Sequence, residues 1–136
     1  MLDGRWQKDC FHGPLSVVPQ KQGKKILERD YRALLEDAQC PIAVIEHAEK
    51  VQRLALAMCD CLKKQGMPVD REAVRIGALL HDIGRSRTQD IHHVTEGVAI
   101  ATRLNLPEVV IHIIERHAGA GIDEHEAIKL GLSPKD

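Results

Sequence analysis

Residues 77–85 read Gly77-Ala78-Leu79-Leu80-His81-Asp82-Ile83-Gly84-Arg85. An imidazole and a carboxylate stand side by side at the end of an apolar run. Asp70 upstream is a good N-cap and Gly84 a natural stop, so the spacing predicts a helix from 70 to 84. On that helix Ala73, Gly77, Leu80 and His81 share the inward arc, and Asp82 lies about 100° further round. A polar pair aimed at a core must find partners there, because burying it unpaired is costly.

Outward from this stretch the pattern stays helical, with regular punctuation. A first helix is expected over 24–38, with Ile26, Leu27, Leu34 and Leu35 as its apolar positions. Pro41 suits the first position of a second helix, which runs to Gly66. A polar loop over 85–91 leads to a fourth helix over 92–105. Pro107 opens a fifth, which stops in the Ala118-Gly119-Ala120-Gly121 run, and Asp123 with Glu126 resembles a capping box for a short sixth ending near Leu130. Residues 1–23 show no period and hold three glycines, two prolines, Trp6 and Phe11. They are expected to form an extension, either a loosely docked arm or a partner-binding strip, with residues 24–136 as the domain proper. The fold class is all-α, a bundle of about six helices.

Composition agrees. A chain of 136 residues fits one domain with a real core. Aromatics are only 2%, which suits helices better than sheets. The 19 Lys+Arg and 20 Asp+Glu nearly cancel, which argues against a nucleic-acid partner. No apolar run is long enough for a membrane span and the N-terminus lacks a secretory stretch, so a cytoplasmic location is expected. Cys10, Cys40, Cys59 and Cys61 lack CxxC spacing and are expected to be reduced thiols.

The eight histidines are the compositional anomaly. His47 aligns with Val51, Leu54, Met58 and Leu62 in a stripe expected to be buried. His93 aligns with Gly97, Ile100 and Leu104, and His117 with Val110, Ile113 and Ile114. Four helices thus each direct one imidazole, from His47, His81, His93 and His117, towards the core, and Asp82 adds a carboxylate. Four unrelated buried imidazoles would need four separate sets of hydrogen-bond partners. One or two divalent ions (Mn, Fe, Ni, Zn or Mg) would satisfy them all. His81, Asp82 and His117 also fall near helix C-termini, where exposed carbonyls favour cations. Gly77 and Gly97 would let helices approach closely. His12, His92, His112 and His125 fall off these stripes.

The assembled residues resemble the HD-domain superfamily of metal-dependent phosphohydrolases. The resemblance is carried by Ile45-Glu46-His47, the 77–85 stretch, His93 with Gly97, and Ile114-Glu115-Arg116-His117, and it spans about 24–132. Within the superfamily the chain is similar to a small, largely archaeal group of uncharacterised members, including the ending Ala127-Ile128-Lys129-Leu130-Gly131-Leu132. The resemblance implies that His47, His81 and Asp82 hold one metal, and that Asp82, His93 and His117 hold a second, with Asp82 bridging. The family pattern ends with an Asp on a later helix. Here the sequence reaches Asp136 without one, and Asp123, Glu124 and Asp136 lie outside that helical context. The expectation is either a shortened form or a position filled by a solvent ligand or a neighbouring chain, and apolar surface left open by a missing core helix would favour a homo-oligomer.

The implied substrate is a small phosphorylated compound, a nucleotide or other phosphate ester, hydrolysed by metal-activated water at a centre containing Asp82. Arg85 is the best candidate to hold a substrate phosphate and to serve the chemistry, with Arg87 and Thr88 beside it. Glu46 and Glu96 adjoin the site by sequence only. Two other readings stand beside the hydrolase. One is a degenerate HD module that binds metal or nucleotide in a regulatory role. The other is a helical interaction domain with incidental histidines.

Overall fold

A computed structural model describes residues 30–118 and 123–132. The extension expected over 1–23 and residues 24–29 of the expected first helix lie outside the described residues, and the helix observed there begins only at Tyr31, because Asp30 is extended and caps it. Among the described residues six α-helices follow one another: α1 (Tyr31–Asp37), α2 (Ile42–Lys64), α3 (Arg71–Leu80), α4 (His93–Arg103), α5 (Glu108–Arg116) and α6 (Glu124–Lys129). A single 3₁₀ turn, Ile83–Ser86, stands between α3 and α4, and no strand occurs among the described residues.

Asp70 and Asp123 are the N-caps the sequence predicts, and Asp30 is one it did not single out. Asp30, Asp70 and Asp123 each accept a backbone N–H three residues on, from Ala33, Ala73 and Glu126. Pro41 and Pro107 stand immediately before α2 and α5, where a missing N–H costs nothing. Gly66 takes φ +77° just past α2, a left-handed conformation suited to glycine.

Leu35, Ile45, Ala48, Ile76, Leu79, Leu80, Ile83, Ile100, Ala101, Val110 and Ile114 form one continuous core. Around it α3 packs against α1, α2 and α5, and α4 packs against α5 and the 3₁₀ turn. Glycines allow the closest of these approaches. A Cβ on Gly77 would lie 2.6 Å from Ile113 Cδ1, and one on Gly97 would lie 2.9 Å from Ile114 Cγ2. Gly84 is tighter still, because its Cβ would run into the His93 carbonyl and reach within 2.6 Å of the Gly97 nitrogen.

Three expectations are corrected. The third helix ends at Leu80, not 84, and Gly84 serves close packing against α4 instead of capping α3. The α2 stripe through His47, Leu54 and Met58 faces outward: Leu54 is 46% and Met58 39% exposed. The buried side of α2 instead carries Ile45, Ala48 and Cys59, with Gln52 between them donating its amide N–H to the Arg75 carbonyl at 2.8 Å. A polar side chain on the packed face is what disguised it. Cys40 and Cys59 are free, but Cys61 is disulfide-bonded instead of reduced.

No helix among the described residues is long and apolar enough to cross a membrane.

Candidate metal centre

The centre is built where helices end. His81 is the C-cap residue of α3, and Asp82 starts the 3₁₀ turn that follows. His117 is the C-cap residue of α5, and His93 opens α4. The contact between Gly84 and the His93–Gly97 stretch brings the start of α4 onto the 3₁₀ turn, and with it His93 onto Asp82.

Asp82 is the hub. Its Oδ2 lies 3.3 Å from His81 Nε2 and 3.7 Å from His47 Nε2. Its Oδ1 lies 3.2 Å from both His93 Nε2 and His117 Nε2, which are 3.1 Å from each other. The donor atoms form two overlapping triads, His47–His81–Asp82 and Asp82–His93–His117. All five expected residues therefore converge, with one qualification. His47 was expected on a buried face, yet its side chain is 55% exposed, whereas His81, Asp82 and His93 are buried. It reaches the carboxylate from the exposed side, its ring edge-on to that of His81 at 5.4 Å.

The other ring nitrogens set the chemistry. His81 Nδ1 donates to the Ala78 carbonyl at 2.6 Å, His93 Nδ1 to the Asp90 carbonyl at 2.6 Å, and His117 Nδ1 to the Ile114 carbonyl at 2.7 Å. A carbonyl oxygen only accepts, so each Nδ1 carries a proton and Nε2, the nitrogen left for a metal, is the one turned towards Asp82. Whenever both rings are neutral, His93 and His117 present two acceptors to each other and to a carboxylate oxygen. Such an arrangement repels itself unless a cation lies among the acceptors. Backbone-anchored imidazoles of this kind are how metal-binding histidines are oriented, so the residues present fit a divalent ion.

Ionisation follows the same geometry. Burial alone would raise the Asp82 carboxyl, but contacts from His117 and His81 and the nearby positive charge outweigh it and hold the group far below the usual carboxylate range. His81 is pushed down by burial, yet its bond to Asp82 and that to the Ala78 carbonyl prevail and raise it. His93 is lowered, chiefly by burial, and so favours the neutral, ligand-ready form.

Arg85 also belongs here, through contacts the sequence did not disclose. Its Nε lies 3.1 Å from Asp82 Oδ1, and its Nη1 donates to the Gln89 carbonyl at 3.0 Å. Gln89 returns a bond, Nε2 to the Arg85 carbonyl at 2.8 Å. The only available signal was the three-residue spacing between Asp82 and Arg85, which faces them together in a tight 3₁₀ turn. Arg87 is exposed and no described contact links it to Asp82, and Thr88 serves the loop, its hydroxyl accepting from the Asp90 N–H at 3.4 Å. Glu46 is exposed on α2 and Glu96 half-buried on α4, and neither has a described contact with the triads.

An all-helical domain organised around a His-Asp pair and further histidines defines a class of metal-binding helical domains. Residues 44–133 match the HD domain family, and the chain belongs to it. Domains of this family bind divalent metals. The chain is 38% identical over 139 residues to a tRNA (cytidine(56)-2'-O)-methyltransferase of Picrophilus torridus, covering 99% of this chain and 39% of that protein. It is 48% identical over 97 residues to an uncharacterised protein of Methanocaldococcus jannaschii, covering 71% of this chain and 57% of that one. It is also 34% identical over 91 residues to the dihydroneopterin 2',3'-cyclic phosphate phosphodiesterase of the same organism, covering 56% of this chain and 36% of the enzyme. The chain thus spans between about a third and three-fifths of the length of these relatives. No solved structure matches it.

Proposed function

We propose that the chain hydrolyses a phosphate ester, a nucleotide or a related small phosphorylated compound, at the Asp82 centre. The observation that carries this is the convergence of four imidazole Nε2 atoms on the two oxygens of one buried carboxylate. Bound there, divalent ions supply the power to acidify water near neutral pH and to neutralise charge on phosphoryl oxygens. The protein's own contribution is positional. Ala78, Asp90 and Ile114 carbonyls lock three rings by their Nδ1–H groups, so the donor atoms are fixed before any ligand arrives. Asp82 spans both triads. Arg85, half-buried beside them, offers a planar guanidinium suited to pairing bidentately with a phosphate.

The likeness to a cyclic phosphate phosphodiesterase favours a phosphodiester over a monoester. Methyl transfer is not part of the proposal, because the aligned segment is only 39% of the methyltransferase relative. A cytoplasmic setting is. One observation favours a second reading, a module that binds metal or nucleotide without turnover: the His47 triad leans on an exposed side chain and offers three ligands, one of them shared.

Metal content and turnover test the proposal together. Purified protein is expected to carry or take up at least one equivalent of Mn, Fe, Ni, Zn or Mg, and to hydrolyse cyclic or linear phosphodiesters with added metal. Asp82→Asn and His93→Ala should remove both properties. Failure to bind any of these metals refutes the proposal. Binding without hydrolysis of mono- or diesters selects the regulatory reading.

A further inference from the structure

Arg85 holds a position that the metal centre itself does not explain. Asp82 Oδ1 faces three nitrogens: His93 Nε2 and His117 Nε2, each at 3.2 Å, and Arg85 Nε at 3.1 Å. Both histidines already give their Nδ1–H groups to backbone carbonyls. Arg85, by contrast, carries a permanent charge. Among the described residues it is therefore the fixed cation touching the oxygen around which the second triad is arranged. The Gln89 carbonyl holds its Nη1 from behind, so the guanidinium is seated against Asp82 at two points.

We propose that Arg85 is a stand-in cation: it neutralises Asp82 while the centre lacks metal, and an ion entering the His93–His117 triad displaces it and frees it to take the substrate's phosphate. The displacement follows from crowding and charge. A carboxylate oxygen has two lone pairs, and a dication drawing on Oδ1 both weakens it as an acceptor for Arg85 and repels the guanidinium. The side chain is 29% exposed, so a path outward into solvent is open. Phosphate capture would then depend on prior metal loading, which keeps the metal-free protein from binding phosphate compounds to no purpose. This inference rests on the metal-centre reading above, and the experiment separates the two.

Zn²⁺ binding is measured by calorimetry on the wild-type chain and on Arg85→Gln, with helical content followed by circular dichroism. Because a competing cation has been removed, Arg85→Gln should bind Zn²⁺ about three- to tenfold more tightly, the range expected for losing a partly exposed ion pair, while its metal-free form melts at a lower temperature. Equal or weaker binding by a folded Arg85→Gln overturns the stand-in role and makes Arg85 a support for Asp82. Absence of binding in both proteins overturns the metal-centre reading and this inference with it. The wild-type chain gives an independent readout. In its NMR spectrum the Arg85 Nε–H should be protected from solvent exchange without metal and lose that protection on Zn²⁺ addition, and inorganic phosphate should then shift it. Protection that persists through saturation with Zn²⁺ refutes displacement.

Discussion

Replacing Gly84 by alanine probes the contact on which the centre's geometry depends. The added methyl would collide with the His93 carbonyl and come within 2.6 Å of the Gly97 nitrogen. Both obstacles are backbone of α4, so no side chain can swing away and the helix itself must shift. Overpacking that moves backbone costs about 3 kcal/mol, the upper end of the usual range. For a domain of this size that is a fall in Tm on the order of 10 °C. The shift also moves His93 relative to Asp82, so metal affinity should drop along with stability. Thermal melts by circular dichroism and Zn²⁺ titrations read both effects. Gly66→Ala is the control: φ is +77° there and nothing lies within 4 Å of a Cβ, so only backbone strain of about 1 kcal/mol is expected, with metal binding intact. If Gly84→Ala melts no lower than Gly66→Ala and binds Zn²⁺ like the wild type, the close approach does not position His93.

The pH dependence of metal binding should distinguish the two triads. His81 is raised and His93 lowered, and an imidazole must be proton-free at Nε2 to bind metal. As pH falls through the imidazole range, His81 protonates first, so binding at the His47–His81–Asp82 triad should be lost at a higher pH than at its neighbour. Zn²⁺ titrations between about pH 5 and 8 would show this, and simultaneous loss or the reverse order refutes it. In the metal-free chain the same raised His81 implies stabilisation that is full below the ordinary imidazole value and disappears as pH rises through the raised one. His47→Ala should leave Tm unchanged, because the side chain is exposed, yet weaken the first triad about tenfold. Asp70→Ala removes the bond from Asp70 Oδ1 to the Ala73 N–H and should cost about 1 kcal/mol in denaturant melts without altering metal stoichiometry.

What the sequence disclosed, and what it hid, divide along physical lines. Caps and breakers act locally, so Pro41, Asp70, Pro107 and Asp123 marked their helices within a residue or two. The His81–Asp82 pair and the inward settings of His93 and His117 followed from helical spacing on short helices with one apolar face. α2 is longer and carries apolar residues on more than one face, so periodicity alone could not choose between the Leu54–Met58 side and the Ile45–Cys59 side. The choice was made by Gln52 bonding to the Arg75 carbonyl, a tertiary event. Gly84 was read as a helix stop because glycine often serves that role, whereas its actual constraint comes from α4, nine residues onward at His93. The Arg85–Gln89 clasp depends on the loop path and was invisible to pattern.

Asp82 is the only carboxylate in the two triads, and each of its oxygens serves a different triad. Two dications seated there would divide a single negative charge between them, so the first to arrive lowers the attraction felt by the next. Loading should accordingly be stepwise, with a tight and a loose equivalent. Between those steps lies a range of free-metal concentration in which the half-filled protein predominates, and the abundance of metal around the chain then sets how much of it is fully charged.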